Sequence, residues 1–106
     1  MPRTKPYYSK KQIINFISSG KVSITDDAKK SAKVDFGWGI DAIRKAIAKL
    51  PLECCYKSEP RFKNPKIWVD YYRAPNINGE NIYTHFYVDD DKLIIDSFKE
   101  LYNEML

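Results

Sequence analysis

Three consecutive stretches in the second half of the chain, residues 67–73, 81–88 and 92–99, alternate in side-chain character with a period of two. A strand imposes that period, because successive side chains point to opposite faces of a sheet. In the middle stretch Ile82, Thr84, Phe86 and Val88 share one face, and Tyr83, His85 and Tyr87 share the other. The first set reads as core and the second as a polar, aromatic surface. The connections are short: Pro75-Asn76-Ile77-Asn78-Gly79 has strong turn chemistry, and Asp89-Asp90-Asp91 joins the last two stretches. Sequential strands with such links are antiparallel neighbours.

The first half carries helix signals. Ser9 and Gln12 fit a capping box, Ile13, Phe16 and Ile17 follow at helical spacing, and Gly20 suits the residue after a helix. These predict a helix over about residues 10–19. Thr25-Asp26-Asp27 opens a second, shorter helix with little apolar content, expected at the surface. After the break at Gly37-Trp38-Gly39, Ile40, Ile43, Ile47 and Leu50 form a stripe that packs a third helix on a sheet. Pro51 ends it. Residues 52–58 should form the first strand, and 59–66 a loop carrying Arg61, Lys63 and Lys66. Residues 1–8 look like a loose arm and 101–106 like a short amphipathic tail. The order predicts an α+β fold: N-terminal helices packed on one face of a C-terminal antiparallel sheet of four strands, with no crossover and the other face open. At 106 residues the chain should be one domain, 1–106, around one core.

Charge is uneven. Residues 1–73 hold 16 Lys and Arg against 7 Asp and Glu, and residues 74–106 hold 2 against 7. A basic surface beside an acidic end suggests an anionic partner such as nucleic acid, although solvated helix faces produce the same counts. Cys54 and Cys55 are adjacent, so they read as reduced thiols rather than a disulfide. One histidine offers no zinc-ligand spacing, and no cofactor or metal is expected. No apolar run reaches the ~20 residues that span a bilayer, so no membrane role and a cytoplasmic location are expected.

Strand pairing extends the polar face. Tyr71 and Arg73 join Tyr83, His85 and Tyr87 if Trp68 and Tyr72 face the helices. Asp70 shares the parity of Trp68, and a core-facing carboxylate needs a partner. Lys57 has a parity that can join the face, and Lys99 can close it. Aromatic rings interleaved with Arg and Lys suit single-stranded RNA, with rings stacking on bases and cations holding phosphates. A plain tyrosine-rich sheet satisfies the same pattern. The face has no visible carboxylate pair, and Ser58 and Ser97 lack a companion base for a hydrolase triad. Metal-free RNA cleavage remains open: a ribose 2′-OH can attack its own phosphate if His85 or Tyr83 moves protons and Lys57 and Arg73 hold charge, although a lone histidine is more often structural.

Four blocks in order, Tyr56-Lys57-Ser58, Ile67-Trp68-x-Asp70-x-Tyr72-Arg73, Gly79-x-x-Ile82-Tyr83 and Leu93-Ile94-x-x-Ser97-Phe98-Lys99-Glu100, resemble the MqsR (motility quorum-sensing regulator) toxin family. The resemblance covers roughly residues 9–100 and is dense from Phe36 onward. It implies a RelE-like α+β fold and a ribosome-independent endoribonuclease acting on mRNA. It also implies a cognate protein antitoxin, which in family members can carry zinc. Through that antitoxin, a helix-turn-helix protein, the pair would bind operator DNA.

The resemblance places the family's catalytic Lys and Tyr on Lys57 and Tyr83. It makes Arg73 and Lys99 phosphate contacts; on strand parity Tyr71 and Tyr87, and from the basic loop Arg61, are expected to complete the RNA surface. His85 stands where a family member has Lys, which suggests proton transfer near neutral pH. Val69 stands where the family has Gln and makes no side-chain hydrogen bond. A second reading follows from Val69: a catalytically impaired module of the same fold that binds RNA or the antitoxin. The Tyr7-Tyr8 arm and the tail Leu101, Tyr102, Met105 and Leu106 are candidate antitoxin contacts.

Overall fold

A computed structural model of the chain describes residues 3–102. The expected α+β order is present: α1 (Lys10–Ser18), β1 (Val22–Ile24), α2 (Asp26–Phe36), α3 (Ile40–Lys49), a 3-10 turn (Leu52–Cys54), β2 (Cys55–Pro60), β3 (Trp68–Ile77), β4 (Glu80–Asp89) and β5 (Lys92–Glu100). The capping box forms as the sequence predicts. Ser9 Oγ accepts from the Gln12 N–H at 3.1 Å, and Gln12 Oε1 accepts from the Ser9 N–H at 2.9 Å. Thr25 caps α2 through the Ala28 N–H, and Gly37 ends it in the left-handed region at φ 74°. At eleven residues α2 is longer than α1, not shorter. Its buried residues, Ala28 and Ala32, are small enough to let it lie close on β5. In α3 Ile43, Ala46 and Ile47 are buried, while Ile40, expected in the stripe, stays exposed in the first turn.

The sheet corrects the expected four antiparallel strands. It has five, in the order β1-β5-β4-β3-β2, and β1 lies parallel to β5 through Val22↔Leu93, Ser23↔Ile94 and Ile24↔Ile95. Three residues are too few to display alternation, and their partner lies far along the chain. The other pairs are antiparallel, as predicted. β3 and β4 run further into the expected loop, leaving a two-residue turn at Asn78 (φ 51°) and Gly79 (φ 84°). Asp90 (φ 52°) and Asp91 (φ 58°) form the second such turn. Two left-handed residues match the twist of the paired strands. The first strand also begins later than predicted, because 52–54 coil into the 3-10 turn after Pro51.

One face of the sheet meets the helices. Tyr72, Ile82, Phe86, Leu93, Ile95 and Phe98 pack with Ile13, Ile43 and Ile47 in a single buried cluster. Cys55 is buried and Cys54 partly so, both as free thiols. No helix among the described residues is long and apolar enough to cross a membrane.

Over residues 3–8 the arm is not loose; residues 1–2 of the expected arm lie outside the described residues. The Arg3 N–H donates to the Ser58 carbonyl at 2.7 Å, and the Ser58 N–H donates back at 2.6 Å. Tyr7 stacks on Trp68 with ring centroids 5.4 Å apart and planes at 3°. The physical reason is Asp70, which is 0% exposed. Its carboxylate accepts from the Tyr7 N–H and the Tyr8 N–H at 3.0 Å and from Ser58 Oγ at 2.6 Å. A buried carboxylate left unpaired would be strongly destabilising, so the core-facing parity of Asp70 requires the arm. Residues 103–106, including Met105 and Leu106 of the expected tail, lie outside the described residues.

Candidate functional site

The second sheet face is built by register. Tyr71 pairs with His85, Arg73 with Tyr83 and Val69 with Tyr87 across β3 and β4. Lys57 pairs with Tyr71 from β2, and Lys99 with Tyr83 from β5. Two irregularities adjust which side chains arrive. In β2 the register shifts between Cys55 and Lys57, with Tyr56 as the extra residue. Cys55 therefore stays in the core while Lys57, of the same parity, reaches the opposite face. In β5 the partners pass from Ser97↔His85 to Ile95↔Phe86, and Asp96 is the extra residue. Bulges of this kind bend a strand and re-aim its side chains.

All eight residues singled out in the sequence, Lys57, Arg61, Tyr71, Arg73, Tyr83, His85, Tyr87 and Lys99, gather on this side. Four cations lie against four tyrosine rings. Lys57 Nζ is 4.4 Å from the Tyr71 centroid, and Lys99 Nζ is 5.4 Å from that of Tyr83. The guanidinium carbons of Arg73 and Arg61 are 3.9 Å and 4.4 Å from the centroids of Tyr56 and Tyr87. These cation–π contacts cover the rings. The face is consequently less open than expected: Tyr83 and Tyr87 are each 7% exposed, and Val69 is 4% exposed.

At the centre, Tyr83 Oη and His85 Nδ1 are 2.9 Å apart. His85 Nε2 lies 3.4 Å from Asp96 Oδ2 on the other side of the ring. Burial pushes the imidazole below its usual range, and the Asp96 carboxylate opposes that shift. Burial raises the Tyr71 and Tyr87 phenols, with Arg61 opposing the shift at Tyr87. Both therefore stay protonated at neutral pH. Lys57 Nζ is 3.4 Å from Glu59 Oε1.

A cleft of about 340 Å³ opens here, lined by Arg61, Phe62, Lys63, Val69, Tyr71, His85 and Asp96. Phe62 is 99% exposed.

Sequence reasoning missed Tyr56, Glu59, Phe62 and Asp96, so two carboxylates that it did not foresee stand beside Lys57 and His85. Asp96 carried a readable signal. Ile95 and Phe98 are both core residues an odd number of positions apart, which one strand satisfies only with a bulge between them. Among the described residues no group of three or more His, Cys, Asp or Glu side chains is placed to hold a metal ion.

Fold and face define a small α+β protein with helices on one side of a mixed sheet and an aromatic, cation-lined cleft on the other. The family profile described as motility quorum-sensing regulator, toxin of MqsA, matches residues 5–100, and the chain belongs to that family. It is thus the toxin of a toxin–antitoxin system, with an antitoxin of the MqsA kind as its partner. A search of the curated proteins returns no match.

Proposed function

We propose that this toxin is a ribosome-independent endoribonuclease that cleaves single-stranded mRNA with its own side chains. The observation that carries the reading is the placement of Lys57, Arg73 and Lys99 on the face that holds the Tyr83–His85 contact. Cleavage within the chain of an RNA needs three things: a proton acceptor for a 2′-OH, positive charge for the crowded phosphate, and a proton for the departing 5′-oxygen. Tyr83 and His85 take the 2′ proton. The 2′-oxygen bonds to phosphorus, the bond from phosphorus to the 5′-oxygen breaks, and Lys57 protonates that oxygen. The products are a 2′,3′-cyclic phosphate and a 5′-hydroxyl. Arg73 and Lys99 hold the phosphate.

The buried tyrosines take a different role from the expected one. With Arg61 over Tyr87 and Arg73 over Tyr56, bases stack on the outer guanidinium planes and on Phe62, and the rings beneath support the cations. The antitoxin silences the enzyme, and operator DNA is reached only through it.

Incubating purified protein with a long RNA, without ribosomes, tests the reading. Cleavage should be unchanged by chelator and leave cyclic phosphate ends. Lys57→Ala or Tyr83→Phe should slow it by roughly 100-fold or more. RNA that stays intact at high protein concentration overturns the proposal. Val69 favours one alternative, a module that binds RNA without cutting it. That module would show salt-dependent affinity and no cyclic phosphate.

A further inference from the structure

We infer that Asp96 is a positioning residue for His85: its carboxylate holds the imidazole as the Nε2–H tautomer and leaves Nδ1 bare to accept the Tyr83 proton. Two contacts on opposite edges of one ring carry this. Asp96 Oδ2 lies 3.4 Å from Nε2, and Tyr83 Oη lies 2.9 Å from Nδ1. A carboxylate only accepts, whereas a phenol can donate. A hydrogen on Nδ1 would set the Nε2 lone pair against the Asp96 oxygens, two acceptors face to face. A hydrogen on Nε2 satisfies both contacts. The tautomer of a histidine is set in this way by the partner of its other nitrogen.

The bulge in β5 is what makes the arrangement. Ser97 pairs with His85 and Ile95 with Phe86, so the extra residue between them, Asp96, arrives beside the ring. The groups around the imidazole come from every strand packed against it. Tyr71 on β3 lies 4.9 Å from it between centroids, Tyr83 shares β4, and Asp96 and Lys99 stand on β5. Lys57 acts from β2, and Arg61 and Lys63 line the same cleft. Lys57 and Lys99 disfavour a proton on His85, and Asp96 alone favours one. The ring is thus neutral at rest and has a counter-ion ready when it is charged.

Within the proposed ribonuclease reaction, the substrate 2′-OH gives its proton to Tyr83 Oη as Tyr83 passes its own to His85 Nδ1. The imidazolium then stands against Asp96 until solvent removes the proton. The tautomer is a property of the free protein and does not depend on that reaction.

The chain has one histidine, so nitrogen NMR of histidine-labelled protein reports on His85 alone. Above its titration, His85 should carry its proton on Nε2. In Asp96→Asn the midpoint should fall and the tautomers should mix, and Asp96→Glu should restore both. Where RNA is cleaved, Asp96→Asn should lower kcat at least ~10-fold with KM unchanged, and the acidic limb of the rate profile should follow the His85 midpoint. A proton on Nδ1 in the native protein, or an Asp96→Asn spectrum identical to the native one, overturns the inference. The expected tautomer in a protein that leaves RNA intact sinks only the ribonuclease reading.

Discussion

Two buried polar side chains, Tyr8 and Asp70, do more to hold the N-terminal arm than its apolar contacts suggest. The Tyr8 hydroxyl donates to the Trp68 carbonyl at 2.6 Å and accepts from the Val88 N–H at 3.0 Å. The next residues inward, Val69 and Tyr87, are a ladder pair. The phenol therefore stands in for the ladder rung where β3 and β4 separate. Tyr8→Phe keeps the ring and removes the bridge, leaving two backbone groups unpaired. Urea unfolding should show a loss of roughly 1–3 kcal/mol, and an unchanged midpoint with unchanged slope would show that the bridge contributes nothing. Asp70 was legible in the sequence as a problem, a carboxylate with core parity. Its solution was not, because two of its donors are the backbone N–H groups of Tyr7 and Tyr8, which carry no sequence signature, and the third, Ser58 Oγ, comes from another strand.

At the scale of elements, the strands illustrate how far alternation reaches. Parity placed Tyr71, Arg73, Tyr83, His85 and Tyr87 together because β3 and β4 keep their register from Val69↔Tyr87 to Ala74↔Ile82. It failed at Asp96, where an extra residue breaks the count. It was silent on β1, which is too short to have a period. The turn between β3 and β4 gives a test. Gly79 has φ 84°, and a Cβ there would meet nothing within 4 Å. Gly79→Ala should therefore cost about 1 kcal/mol from backbone strain alone. Asn78→Gly, at φ 51°, should be close to neutral. Thermal melts of the two variants distinguish strain from packing, and equal losses in both would refute the assignment.

For the whole molecule, buried titratable groups set the pH range of stability. Burial raises the Cys55 thiol from 9.0 to about 11 and the Tyr8 phenol from 10.0 to about 12, and it pushes Tyr72 higher still. Each is an acid that the fold keeps protonated. As pH rises past 9, the unfolded chain loses these protons first, so it binds fewer than the native state and stability falls with pH. The loss should begin near pH 9 with Cys55 and continue through pH 12. Burial also raises the Cys54 thiol, so Cys55→Ser should make the decline above pH 9 shallower without abolishing it. On the acid side, His85 sits below its ordinary 6.5, so the unfolded chain takes up that proton first and stability declines as pH drops through that value. Denaturant midpoints from pH 5 to pH 11 test both arms, and a midpoint constant above pH 9 would contradict the burial of these groups.

The sequence by itself determined the helix caps, the three long strands, their antiparallel order and which side chains share each face. Those depend on local backbone preference and on a period of two, and both are written along the chain. Only the tertiary structure decided the parallel β1–β5 pairing, the docking of the arm on Asp70, the stacking of cations on tyrosines and the arrival of Asp96 beside His85. Each of these joins groups distant in sequence or turns on a one-residue shift in register. The odd spacing of Ile95 and Phe98 signals that a shift occurs in β5, but its position and the group it meets come from the partner strand that the fold supplies.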